Sequence, residues 1–183
     1  MAQATQTVRH MPVSILTNTE AEEWCRRQGV VTKDRQPDES TLDPPAARFR
    51  IPEDAGKRIA LARLLFPDTW TNAEEVLLWT TAWSIWPSGE HMPLFDRLRS
   101  SLNDPRSLDE ANAHLVAPDA FDDGTSILVL NALFLWDCWV LTPNGAYTVF
   151  LSHDAYGVVY SRQARDDVRA TLAHMDLLIK DEP

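Results

Sequence analysis

The stretch from Ile127 to Tyr160 constrains the fold of this 183-residue chain more than any other part of it. It contains the densest run of apolar residues and the clearest turn signal in the sequence. Apolar side chains surround nearly the whole circumference of a helix over Asp119–Asp137, which predicts a buried helix. The segments Trp136–Leu141 and Tyr147–His153 are rich in β-branched and aromatic residues and flank a Pro-Asn-Gly turn. They therefore predict a central β-hairpin over about 136–153.

The turn of this hairpin has two possible registers. A two-residue Asn-Gly turn would pair Pro143 with Ala146, but the first of these positions should donate an N–H, which proline lacks. A three-residue loop avoids the conflict, because Pro143 then occupies the second position of a type I turn and Gly145 the left-handed position. The three-residue loop is the predicted register.

The register decides which side chains share a face of the hairpin. In the predicted register Asp137 lies diagonally across from His153, and Cys138 lies on the opposite face. A nucleophilic pair of Cys138 and His153 would need the other register. The string Ser152-His153-Asp154 cannot form a triad within one strand, because neighbouring side chains point to opposite faces. We interpret His153 as a hydrogen-bonding residue at a strand end, and Asp137 as a capping or ion-pairing carboxylate.

Residues Val76–Trp86 predict a further strand of the same sheet, because they are rich in β-branched and aromatic side chains. In a strand, Trp79 and Trp83 share one face. A helix is the alternative, since the apolar run is too short to decide by periodicity, and Trp79, Trp83 and Trp86 would then form a stripe. Either structure produces a surface lined with tryptophan.

The fold class predicted for the whole chain is α+β, with an antiparallel sheet packed by helices that include a C-terminal helix. Residues 1–11 are polar and aperiodic and predict a flexible arm, and residues 12–183 predict a single domain with a long loop near 31–46. Capping signals and apolar periodicity predict short strands at Val13–Leu16 and Arg48–Ile51, and helical segments at Thr19–Gln28, Glu53–Phe66, Met92–Leu102, Leu108–Leu115 and Ser161–Lys180.

The formal net charge of −10 limits the classes of partner. It disfavours nucleic acid and anionic membrane surfaces, whose binding depends on lysine and arginine meeting phosphates. It would suit a basic protein partner, although acidic charge also serves solubility alone.

The cysteine, histidine and apolar patterns bear on compartment and cofactors. The two cysteines, Cys25 and Cys138, predict reduced thiols in a cytoplasmic protein, because no export signal is evident. The apolar run Ile127–Trp136 is too short to span a bilayer, so no membrane association is expected. The five histidines are scattered. We therefore expect no metal site and no cofactor.

Two motifs resemble segments of bacterial proteins of unknown function. These are the string WPSGE at Trp86–Glu90, and a hairpin that begins with WD at Trp136–Asp137 and ends with SHDAY at Ser152–Tyr156. The hairpin ending in SHD is also similar to strand-turn segments of immunity-type proteins from bacterial toxin systems. The resemblance implies a binding role and assigns no catalytic residue.

Two functions follow as expectations. The first is a non-enzymatic protein-interaction factor of the immunity or accessory type, which is suggested by the acidic charge and the seven tryptophans. The alternative is a small hydrolase or ligand-binding domain with a pocket around Asp137 and His153. The candidate pocket or interface residues are Trp79, Trp83, Trp86, Asp137, Trp139 and His153.

Overall fold

The computed structural model describes residues 13–67, 72–83, 88–161 and 165–179. These residues form strands and five α-helices in a mixed order along the chain. The strands are β1 (Val13–Leu16), β2 (Thr32–Lys33), β3 (Gln36–Pro37), β4 (Ala47–Arg50), β5 (Val76–Ala82), β6 (Ala113–Val116), β7 (Asp137–Leu141), β8 (Tyr147–Leu151) and β9 (Tyr156–Ser161). The helices are α1 (Asn18–Arg27), α2 (Ala55–Leu65), α3 (Met92–Ser101), α4 (Phe121–Phe134) and α5 (Arg165–His174).

Seven strands form one antiparallel sheet in the order β1-β6-β5-β7-β8-β9-β4. The hairpin β7–β8 lies in its middle, and β2 and β3 pair separately as a small ribbon. The predicted α+β class, the central hairpin and the C-terminal helix are confirmed. The segment Val76–Ala82 is a strand, which decides between the two structures that the sequence left open.

The two faces of the sheet are covered differently. Side chains of alternate strand residues, such as Leu78 and Val140, pack beneath α2, α3, α4 and α5 in the larger apolar core. Their neighbours in sequence, such as Leu77 and Leu141, pack beneath α1 and Val30 in a smaller core rich in aromatic residues. We call these the four-helix face and the α1 face.

The hairpin register differs from the predicted one by one residue. Its strand pairing is that of the alternative Asn-Gly turn, with Leu141 opposite Thr148, although Pro143 and Ala146 lie in the loop. Trp139 pairs with Phe150, and the loop contains four residues, from Pro143 to Ala146. Thr142 closes this loop, because its Oγ1 accepts the N–H of Tyr147 at 3.0 Å. Pro143 thereby lies outside the hydrogen-bonded ladder, so its missing N–H costs nothing in this register either. The predicted three-residue loop is wrong for this reason.

Three further predictions are corrected. Residues 113–115, which the sequence predicted as the end of a helical segment, belong with Val116 to β6 between β1 and β5. The N-terminal capping box is centred on Thr17 rather than Thr19, because Thr17 Oγ1 accepts the N–H of Glu20 while the Glu20 carboxylate accepts the N–H of Thr17. Ser161, the predicted start of the last helix, belongs to β9.

The two outer edges of the sheet are protected by different parts of the chain. Along β4, the N–H of Arg50 donates to the carbonyl of Leu177 and the N–H of Ile179 to that of Arg48. The C-terminal segment therefore covers this edge. At the opposite edge β1 is only four residues long, and Arg106 donates to the carbonyl of Ile15 at 2.8 Å.

Candidate functional site

The structure brings Asp137 and His153 together, although not through the predicted register. Asp137 begins β7, and His153 lies in the turn between β8 and β9. Asp137 Oδ1 accepts the backbone N–H of His153 at 2.7 Å and lies 2.8 Å from its Nδ1. The contact arises because Cys138 pairs with Leu151, so that the β8–β9 turn begins beside Asp137.

The contact between Asp137 and His153 stabilises the β8–β9 turn rather than activating a nucleophile. The Ser152 hydroxyl accepts the N–H of Asp154 within the same turn. The thiol of Cys138 is fully buried on the four-helix face, and burial raises its pKa to about 12, so it stays protonated at neutral pH. Among the residues that the structure describes, no hydroxyl or thiol is hydrogen-bonded to His153.

The tryptophans of the candidate set are distributed over both faces of the sheet. Trp79 and Trp139 are almost completely buried on the α1 face, where the Trp79 Nε1–H donates to Asn18 Oδ1 at 2.9 Å. Trp83 packs instead against the core of the four-helix face. The cause is an irregularity in β5, where Thr80 pairs with Cys138 but Ala82 pairs with Asp137, so one extra residue reverses the alternation. Trp86 lies outside the described residues.

A groove of about 890 Å³ runs beside α1. Its apolar walls come from Leu16, Val30, Val31 and Leu115, and Val31 is 51% exposed although it is a large apolar residue. Polar residues of α1 and its flanks complete the lining, namely Thr19, Glu20, Glu22, Glu23, Arg26, Arg27, Gly29 and Thr32. We call this cavity the α1 groove.

The charges around the α1 groove are mostly committed to local partners. Glu20 closes the capping box, and the Thr17 N–H and hydroxyl lower the pKa of its carboxyl group. Glu23 forms an ion pair with Arg26 at 2.7 Å. Glu22 is half-buried, and its carboxylate has no hydrogen bond or ion pair among the described residues. Glu22 is therefore the carboxylate that can accept a cation from outside.

A second groove of about 830 Å³ lies on the outside of the helical layer. Ile59 of α2, Leu98 of α3 and Val129 and Leu130 of α4 supply its apolar lining. Its charged residues are one arginine and one aspartate, Arg63 and Asp122, so it has no excess of either sign.

A cluster of buried polar side chains beneath α3 was not predicted. Arg99 and His114 are completely buried, and Asn112 is 2% exposed. Neither the three guanidinium nitrogens of Arg99 nor the two ring nitrogens of His114 have a hydrogen-bond partner within residues 13–67, 72–83, 88–161 and 165–179. An unpaired polar group in a protein interior typically costs about 1–3 kcal/mol, and a charge costs more.

The environment shifts the pKa of both groups. Burial and the neighbouring Arg99 guanidinium lower the pKa of His114 to about 3, so its imidazole is neutral at physiological pH. Burial also lowers the pKa of Arg99, and Asp104 opposes that shift. The sequence predicted helices over Met92–Leu102 and Leu108–Leu115, which contain Arg99 and His114, and it singled out neither residue. Arg99 lies four residues after Phe95, however, and this spacing puts both on one helical face.

The described residues contain no group of three His, Cys, Asp or Glu side chains that could hold a metal ion. Within the same residues, no helix has both the length and the apolar composition needed to cross a bilayer. The chain matches no protein-family model, and neither a curated protein nor a solved structure is significantly similar to it.

Proposed function

We propose that this protein is a non-enzymatic, acidic protein-binding factor of the bacterial cytoplasm, and that the α1 groove holds a segment of a basic partner protein. The observation that carries the proposal is the half-buried Glu22 carboxylate, which has no partner among the described residues and borders an apolar groove with the exposed Val31. Acidic net charge and the resemblance to immunity-type proteins support the same role.

The chemistry of the groove defines the segment that fits it. Leu16, Val30, Val31 and Leu115 would bury one or two apolar side chains of the partner. A lysine or arginine next to them would pair with Glu22 in a partly desolvated position, where an ion pair is stronger than on an open surface. The net charge of −10 would accelerate the encounter with a basic protein at low ionic strength.

The geometry of the pair Asp137–His153 favours this role over hydrolysis. The Asp137 carboxylate is occupied by two hydrogen bonds from one turn residue. The tryptophans Trp79 and Trp139, which the sequence placed beside this pair, are sealed beneath α1 and unable to touch a substrate. Free, buried thiols at Cys25 and Cys138 fit a reducing compartment.

Selection of peptides from a displayed random library tests the proposal on the purified protein. We expect the enriched peptides to carry a lysine or arginine beside apolar residues. Val31→Asp should weaken their binding at least about tenfold, because it places a charge in the apolar contact. Glu22→Gln should weaken binding several-fold and reduce its dependence on salt concentration.

Two control variants show whether the α1 groove is the binding surface. Glu74→Gln removes an exposed carboxylate elsewhere, and Leu94→Asp places a charge on the exposed surface of α3. Both should bind the selected peptides as the unmodified protein does. Enrichment of peptides without basic residues, or equal binding by Val31→Asp and the unmodified protein, would contradict the proposal.

A further inference from the structure

Helix α3 rests on the sheet through an unusual pair of residues. Of its ten residues only Phe95 and Arg99 are fully buried. Phe95 makes ordinary aromatic contacts, with ring centroids 5.6 Å from His114 and 5.2 Å from Trp136. Arg99 instead carries a guanidinium group into the interior. One of the two buried side chains of α3 is therefore an arginine, and the burial of its charge is unfavourable unless the charge is paired.

Three carboxylates act electrostatically on Arg99, namely Asp104, Asp96 and Glu110, and the one with the largest effect, Asp104, is already occupied. Asp104 accepts hydrogen bonds from Arg106 through both of its carboxylate oxygens, at 3.0 Å from Nε to each oxygen. Arg106 in turn holds the carbonyl of Ile15 at the sheet edge. No other hydrogen-bond acceptor of the described chain reaches Arg99. The guanidinium is therefore left with unused donors.

The unused groups define the ligand that would satisfy them. A guanidinium group offers only donors, in a planar fork that matches two oxygens of a carboxylate or phosphate. The neutral imidazole of His114 has one N–H on the same side of the sheet, and the backbone of Leu78 is the group in the chain that competes for it. Water would supply acceptors but no negative charge. The arrangement therefore favours an oxyanion over a cation or a neutral molecule.

We propose that Arg99 and His114 form a buried binding site for one small oxyanion, a carboxylate or phosphate, between α3 and the sheet. Entry requires α3 to move away from the sheet, since Arg99 has no exposed surface when the helix is packed. A bound oxyanion then pairs with Arg99 and favours the packed position of the helix. This site is on the four-helix face and is independent of the α1 groove.

Thermal unfolding in inorganic phosphate, and separately in acetate, tests the site. Sodium chloride at equal ionic strength serves as the reference. We expect the midpoint of the unmodified protein to rise in a saturable manner with phosphate or acetate, by roughly 5–10 °C at one hundred times the dissociation constant. The anion that raises the midpoint more at the same concentration identifies the preferred class of ligand, phosphate or carboxylate. A midpoint that follows ionic strength alone, with chloride equal to both oxyanions, would overturn the proposal and leave water as the occupant.

Variants of α3 locate the effect. Arg99→Met removes the buried charge at similar length, so its midpoint without oxyanion should equal or exceed that of the unmodified protein, and its response to phosphate and acetate should vanish. Arg97→Met changes an exposed arginine of the same helix and should keep the full response. A response retained in Arg99→Met, or lost in Arg97→Met, would overturn the proposal.

Hydrogen exchange provides a measurement that does not depend on the folding of a variant. Phosphate or acetate at a saturating concentration should slow the exchange of the α3 amides of the unmodified protein at least about tenfold. The amides of α5, which packs elsewhere on the same face, should be slowed much less. Equal slowing of both helices would indicate a general salt effect and would count against the site.

His114→Gln should weaken the apparent oxyanion affinity several-fold.

Discussion

At the scale of single residues, Asp137 shows how a carboxylate at the start of a central strand is used. Its carboxylate accepts hydrogen bonds from the backbone N–H and the ring Nδ1–H of His153, and its side chain is only 17% exposed. A hydrogen bond to a charged group contributes about 1.5–3 kcal/mol when it is well shielded. Asp137 therefore fixes the β8–β9 turn to the start of β7.

Replacement of Asp137 tests this role. Asp137→Ala should reduce the free energy of unfolding by about 1–2 kcal/mol, because it leaves the N–H of His153 without its acceptor. Asp137→Asn should cost less, since an amide oxygen can still accept that N–H. Urea denaturation measures both changes.

Two neighbouring variants complete this test. His153→Ala removes the ring but keeps the backbone bond, so it should cost less than Asp137→Ala. Asp154→Ala changes a side chain that is 71% exposed and should stay within about 0.5 kcal/mol of the unmodified protein. Equal losses in Asp137→Ala and Asp154→Ala would show that the turn does not depend on Asp137.

Individual residues also mark what the sequence could predict. The sequence predicted that Asp137 lies near His153, but it did so through a hairpin register that the structure does not have. Arg99 and His114 were missed because their burial depends on how α3 is rotated against a strand that is distant in sequence. The spacing of Phe95 and Arg99 was the available signal, but an arginine on an apolar face is usually exposed.

At the scale of elements, α1 begins with a complete capping box. Thr17 is the N-cap, and Glu20 closes the box from the third position of the helix. The sequence contains a similar string two residues later, beginning at Thr19, and the two cannot be distinguished by pattern alone. In the structure Thr17 forms the cap, and Ala21 and Trp24 of the helix pack against the sheet.

A matched pair of substitutions tests the start of α1. Thr17→Ala should lower the free energy of unfolding by about 1 kcal/mol, because the N–H of Glu20 loses its acceptor. Thr19→Ala should leave stability unchanged or slightly higher, since alanine is favoured inside a helix. Chemical denaturation of the two single variants measures the difference. A larger loss in Thr19→Ala than in Thr17→Ala would place the cap at the later residue.

The positions of these strands and helices could be predicted from local sequence patterns, whereas the register between strands could not. The strands β5, β7 and β8 and the helices α2 and α4 were predicted close to their observed bounds from periodicity and composition. The register of β7 against β8 depends on one hydrogen-bonded threonine at position 142, and the reversal of alternation in β5 depends on one extra residue opposite β7. Such single-residue effects are set by the assembled sheet and leave no periodic signal.

At the scale of the whole molecule, stability should depend on the protonation of His114. Its pKa is lowered from 6.5 to about 3, by burial and by Arg99, while Asp104 acts in the opposite direction. Below pH 6.5 the unfolded chain therefore binds a proton that the folded chain does not. The free energy of unfolding should fall by about 1 kcal/mol per pH unit from this residue as the pH decreases from 6.5 to 3.

A comparison of two histidine variants tests this dependence in a chloride buffer. Between pH 7 and pH 4, His114→Gln should lose roughly 3 kcal/mol less stability than the unmodified protein, because glutamine does not titrate. His174→Gln removes an exposed histidine at the end of α5 and should follow the unmodified protein. Urea denaturation at each pH gives the values. A constant difference between His114→Gln and the unmodified protein at all pH values would exclude the buried neutral imidazole.

The strand order of the sheet has a consequence for synthesis on the ribosome. Among the described strands, β1 pairs only with β6, β4 only with β9, and β5 with β6 and β7. The first 112 residues therefore supply three strands of the large sheet that cannot pair with one another. Nascent β1 and β5 stay unpaired until residues 113–116 emerge, and β4 waits for residues 156–161. We therefore expect these strands to remain unpaired during translation until the later strands emerge, and unpaired strand edges of this kind favour aggregation.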